Sequence, residues 1–210
     1  MTKQVPNGHV KNTLVWLAYM LLSVWLAVAS AWWVSSHINY GFPLWYQVLD
    51  IEQHIDQYAP QHPHKRGFEQ LPPEQHWRAF AQITAAVHDR GQRLEDIYYR
   101  APGDVPMALL DPLEVTHLQD VRDLLRRFSL ITLWLIPLWL LLALVSMHLP
   151  PPGWHQRLPV LVGLPVVLGA ILVIAGPTAV FYALHEWLFP PENPWFFYWE
   201  ESLMSTLMRA

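Results

Sequence analysis

The chain has 210 residues, 53% of them apolar and 14% charged, with a formal net charge of −4. A soluble domain carries about a quarter charged residues, so this composition excludes an ordinary soluble domain. With no basic stripe it also excludes a nucleic-acid-binding surface. Cysteine is absent, which removes disulfides, thiolate metal sites and a cysteine nucleophile from consideration. Twelve tryptophans suit the interfacial belts of a membrane protein.

A hydrocarbon core about 30 Å thick takes roughly 20 helical residues to cross, and three stretches are long enough. Residues 1–12, with Lys3 and Lys11, are expected on the cytoplasmic side. Residues 13–34 form the first span. They exceed the roughly 7–15 apolar residues of a signal peptide, and Trp32-Trp33 at the far end fits a belt better than a cleavage site. Residues 35–127 are predicted as a mostly helical extracytoplasmic domain. Within it Trp77, Phe80, Ala81, Ile83, Thr84 and Val87 recur at helical spacing. Pro72-Pro73 would open that helix and Gly91 would end it. Pro60 to Gly67 reads as a mobile loop.

The second span is expected at 128–147, a cytoplasmic loop at 148–157, the third span at 158–184, and an interfacial segment on the extracytoplasmic side at 185–210. Arg126 and Arg127 weigh against this orientation, but charge weighs little on a long translocated loop. The fold class is therefore a mainly α membrane protein with three transmembrane helices. Pro137, Gly163, Pro165, Gly169, Gly176 and Pro177 predict close packing and kinks. The span centres hold no ionisable residue, which argues against an ion pump or a proton relay through the bilayer.

Two histidine motifs fall on one side of the membrane, because two spans separate them. In the first, Asp111 is an N-cap, Pro112 suits the first helical position and Glu114 completes a capping box. Glu114, His117 and Asp120 then share one helix face. On spacing alone this is either a solvated surface histidine beside a capping glutamate or an imidazole tuned by carboxylates. In the second motif, His185-Glu186-Trp187 leads into an aromatic run through Trp199 that suits an interface.

At 1.5 Å per residue, straight helices put His117 about 16 Å above Phe128 and His185 about 40 Å along from Leu158. The two meet only through a bend, a tilt or an earlier start of the second span. His62 and His64 alone make a poor metal site. The chain contains no H-E-x-x-H, no G-x-S-x-G elbow and no phosphate-binding glycine loop.

The stretch EVTHLQDV, Glu114 to Val121, resembles the E-x-x-H-x-x-D-V signature of a bacterial membrane family long labelled as of unknown function. LHEWLF followed by NPWFFYWEESLMSTL resembles that family's second signature. The family includes the lipoprotein intramolecular transacylases, Lit, and the tryptophan-rich composition looks like its proteobacterial branch. The resemblance implies four spans where three are expected here. It further implies a bacterial inner membrane location with the site on the periplasmic side. The implied activity moves the sn-2 acyl chain of a diacylglyceryl lipoprotein to the α-amino group of its N-terminal cysteine, giving an N-acyl lyso-lipoprotein. The family's two key histidines fall on His117 and His185, as an acid/base pair. Glu114, Asp120, Glu186, Asn193 and Trp195 stand as supporting residues. No cofactor and no metal is implied, and the partners would be membrane lipid and the lipoprotein substrate. Two other readings share the architecture: a non-catalytic module that binds lipids or lipoproteins, and a metal-handling envelope protein, suggested by eleven histidines.

Overall fold

The structure, a computed structural model, describes residues 7–209, so Lys3 and Ala210 lie outside the described residues. The chain is mainly α-helical. Its helices are α1 (Asn7–His37), α2 (Phe42–Val48), α3 (Ile51–Tyr58), α4 (Pro73–Val87), α5 (Pro112–Ser146), α6 (Trp154–Ala175), α7 (Pro177–Leu188) and α8 (Leu203–Met208). Between α4 and α5, strand β1 (Tyr98–Tyr99) pairs antiparallel with β2 (Met107–Ala108), Tyr98 opposite Ala108. The described residues form two compact units. One comprises 7–32 and 128–184, the other 33–127 and 185–209.

The first unit is built from apolar helix. Three helices are long and apolar enough to cross a membrane: Lys11–His37 of α1, α5 and α6. Their surfaces expose large side chains such as Leu21, Val28, Leu133, Trp134, Val173 and Ile174, the pattern expected where hydrocarbon is the solvent. Two indoles and a hydroxyl on these helices find partners, since an N–H or O–H in such a medium has no water to turn to. Trp139 Nε1 donates to Ser23 Oγ at 2.8 Å, and Ser23 Oγ donates to the Tyr19 carbonyl at 2.8 Å. Trp25 Nε1 donates to Thr132 Oγ1 at 3.1 Å. Tyr19 stacks on Trp139 with ring centroids 6.0 Å apart.

Pro137 sits inside α5 without ending it. The third apolar stretch behaves differently. Sequence alone predicts one helix over 158–184, but α6 ends at Ala175 and α7 begins at Pro177. Gly176 between them has φ 83°, which glycine adopts without a Cβ penalty. Pro177 has no N–H to continue the ladder and a φ suited to opening a new helix. The straight-helix distance from Leu158 to His185 therefore does not hold.

The second unit has an aqueous-type core. Phe42 and Tyr46 of α2, Ile51 and Ile55 of α3, and Ala79, Ile83 and Ala86 of α4 meet Leu94, Ile97, Leu109 and Leu118. The helix predicted after Pro72-Pro73 is α4, and Gly91, with φ 77°, turns the chain just beyond it. Trp77 and Phe80 pack on the margin of the core. His76 lies inside: Nε2–H donates to the Phe68 carbonyl at 2.9 Å, which leaves Nδ1 to accept from the Tyr46 hydroxyl at 2.8 Å.

Two expectations about this unit change. The Pro60 to Gly67 stretch is docked, not mobile. Lys65 and His62 are buried, Lys65 Nζ donates to the Leu109 carbonyl at 2.8 Å, and a Cβ on Gly67 would collide with Ala101. The C-terminal segment does not lie wholly along an interface. Leu203 and Leu207 of α8 are fully buried with α3 and α4, because their apolar spacing finds a core to fill once the aromatic run has turned back. We expect Leu207→Ala to cost about 2–5 kcal/mol of stability and Phe196→Ala, half exposed, to cost no more than about 0.5 kcal/mol. Thermal unfolding of the two variants in detergent checks this.

Candidate functional site

Glu114, His117 and Asp120 lie at successive turns of α5, as the spacing predicts, and the hydrogen bonds of the two carboxylates go to other residues than the imidazole. Glu114 is only 1% exposed. One oxygen accepts from the Asp111 backbone N–H, closing the predicted capping box. The other accepts from the Ser202 hydroxyl at the start of α8, and Lys65 Nζ stands 3.7 Å away. Ser202 Oγ in turn accepts from the Ser205 N–H at 2.9 Å, so it caps α8. Burial pushes the Glu114 carboxyl above the usual carboxylate range, and Lys65 and Ser202 pull it back. Asp120 accepts from Asn193 Nδ2 at 2.7 Å. The chain from 193 to 202 is thus tied to α5 on both sides of His117.

That strap encloses His117. Its ring, 8% exposed, faces His185 of α7 with centroids 6.2 Å apart. Phe189 meets it edge-on at 5.0 Å and Phe197 lies at 6.1 Å. His185 is flanked by Trp195 at 4.8 Å and Phe189 at 5.2 Å. The two histidines therefore come together within one unit although α5 is continuous from Pro112 to Ser146.

His117 Nδ1 is buried without a hydrogen-bond partner. Burial pushes this imidazole down to about 4, the neighbouring His185 adds to the push, and Asp120 opposes it. The site thus offers a neutral imidazole in an aromatic cage, with Nδ1 open to a hydrogen bond.

The other expected residues divide. Asn193 and Trp195 are at the site, whereas Glu186 is exposed. Phe189, Phe197, Lys65 and Ser202 were not singled out by sequence reasoning. A signal for Phe197 existed: in the extended run, Trp195 and Phe197 turn inward while Phe196 and Tyr198 are exposed, the period of two that an extended chain imposes. Lys65 and Ser202 had no such signal, since they act from 49 residues before and 88 residues after Glu114. His62 Nε2 lies 3.4 Å from Asp111, and His64 is exposed. Among the described residues no group of three or more His, Asp or Glu is gathered that could hold a metal ion.

Comparison with known families and proteins adds two findings. A family model described as Lit, lipoprotein intramolecular transacylase Lit, matches residues 70–207, a stretch that takes in both histidines and the strap. No curated protein and no solved structure matches the chain.

Because His117 binds its proton less readily when folded than unfolded, its contribution to stability is complete above pH about 6.5 and is lost as pH falls towards about 4. Burial lowers His54, His62, His76 and His88 in the same sense. The unfolding temperature should fall on acidification from pH 7.5 to 5, with a shallower slope in His117→Phe. For Glu114→Ala, a buried charge partner to Lys65 is removed and the expected loss is about 3–5 kcal/mol. Glu186→Ala, on an exposed position, should stay within about 0.5 kcal/mol. Thermal unfolding at pH 7 distinguishes the two.

Proposed function

Since the chain belongs to the lipoprotein intramolecular transacylase Lit family, we propose that it transfers the sn-2 acyl chain of a diacylglyceryl lipoprotein to the α-amino group of that lipoprotein's N-terminal cysteine. The observation that carries this reading is the enclosed pair of imidazoles, His117 and His185, 6.2 Å apart.

The reaction exchanges an ester for an amide. The amine nitrogen attacks the ester carbonyl, a C–N bond forms, the bond from the carbonyl carbon to the glycerol oxygen breaks, and the proton lost by nitrogen ends on the glycerol hydroxyl. An α-amino group with a pKa near 7.7–8.0 needs a base to remove its proton. In this reading His117, whose buried Nδ1 has no other hydrogen-bond partner, takes that proton as the C–N bond forms. A neighbouring imidazole donor can stabilise the tetrahedral oxyanion or deliver a proton to the departing oxygen, which is the role assigned to His185. Donor ester and acceptor amine are on one molecule, so proximity supplies much of the acceleration. Phe189, Phe197 and Trp195 surround the pair with apolar surface that suits an acyl chain and limits competing hydrolysis. Asp120 and Asn193 hold the strap across the site.

In this reading the N-terminus is cytoplasmic, α1, the apolar part of α5 and α6 cross the inner membrane, and residues 35–127 and 185–210 lie on the periplasmic side, where lipoproteins meet the bilayer. The rival reading is a lipid- or lipoprotein-binding module without chemistry. General acid–base catalysis contributes about 10²–10⁴-fold, so His117→Ala and His185→Ala should each lose that much. The measurement is a mass spectrum of lipoprotein N-terminal peptides from cells producing each variant. Undiminished N-acyl lyso-form would refute the transferase in favour of the binding module.

A further inference from the structure

The short helix after the first apolar span presents a problem in solvation. From Asn12 to Leu49 the chain contains no Asp, Glu, Lys or Arg, and the first charged residue after Lys11 is Asp50. This run extends well past the roughly 20 residues a bilayer crossing needs, through the end of α1 at His37 and the whole of α2. A charge-free stretch of that length is unusual where water is the only solvent.

Helix α2 shows where the surplus goes. Its sequence, FPLWYQV, is apolar on nearly every side. Phe42 and Tyr46, four residues apart, are buried in the core of the second unit and stack or lie edge-on with Phe80 and Trp77. That anchorage fixes the opposite face outward. Leu44, Trp45 and Val48 are at least half exposed, with Leu49 beside them at 42%. A helix that is hydrophobic all round is normally buried all round, so the outward face requires a second apolar medium. Ile38, between α1 and α2, is exposed as well, at 64%.

We propose that the outward face of α2 is sunk into the boundary between headgroups and acyl chains of the leaflet at which α1 emerges. Chain continuity selects this occupant. Phe42 begins α2 only five residues after α1 ends at His37, so a span in the bilayer keeps α2 near the membrane surface. The uncharged composition on both sides of that junction matches an interfacial location, and Trp45 is the residue type that settles at headgroup level. The proposal rests on α1 crossing the bilayer and is independent of the transfer chemistry.

The native chain has no cysteine, so a single introduced one reports a single site. Leu44→Cys and Val48→Cys, each carrying a nitroxide, are reconstituted as the full-length protein in phosphatidylethanolamine–phosphatidylglycerol vesicles. Collision rates are read with oxygen, which concentrates in lipid, and with a water-soluble nickel chelate. Gln75→Cys, exposed at the start of α4, is the aqueous reference, and Leu133→Cys, exposed on the apolar part of α5, is the lipid reference. The oxygen-to-nickel ratio at 44 and 48 should exceed that at 75 by several-fold and move towards that at 133. A ratio at both positions equal to that at 75 overturns the proposal. Protection from both reagents with dipolar broadening between labels also overturns it, in favour of a second copy of the chain covering the face.

Discussion

The Glu114 carboxylate joins three segments that are far apart in the chain. It closes the N-terminus of α5 through the Asp111 amide, holds the first residue before α8 through Ser202, and faces the ammonium group of Lys65. Lys65 is buried too, with further partners in Asp111 and the Leu109 carbonyl. A carboxylate almost without solvent is tolerated only when its oxygens are fully occupied, and here they are. Because Ser202 is fixed, α8 can enter the core, and the chain that precedes it must pass over His117.

The strap then converts a helix face into an enclosed site. Asn193 on Asp120 and Ser202 on Glu114 brace it one turn to either side of His117. The aromatic rings between these ties remove water from the imidazole, and removal of water is the cause of its low proton affinity. Glu114 and Asp120, which look from spacing like direct partners of the histidine, spend hydrogen bonds on the strap, and Asp120 acts on the ring through its charge alone. The stretch that matches the Lit family takes in this enclosure whole.

The two units obey different solvents. In the first, apolar side chains face outward and the indoles of Trp25 and Trp139 spend their N–H groups on hydroxyls of neighbouring helices. In the second, apolar side chains face inward and His76 is matched on both ring nitrogens within the core. The outward apolar face of α2 belongs to the second unit by its anchorage and resembles the first by its chemistry.

The sequence by itself determined what local rules control. Length and hydropathy marked three helices able to cross a membrane, the proline pair marked the start of α4, and the Asp111-to-Glu114 spacing marked the capping box. The two histidine motifs were legible as well, because their residues are near neighbours along the chain. Tertiary structure alone decided the pairing of those motifs, 68 residues apart, and the burial of Leu203 and Leu207, which depends on contacts far along the chain. It also decided the allegiance of Glu114. A carboxylate three residues from a histidine can serve either the imidazole or a distant hydroxyl, and only the returning chain brings Ser202 close enough to claim it.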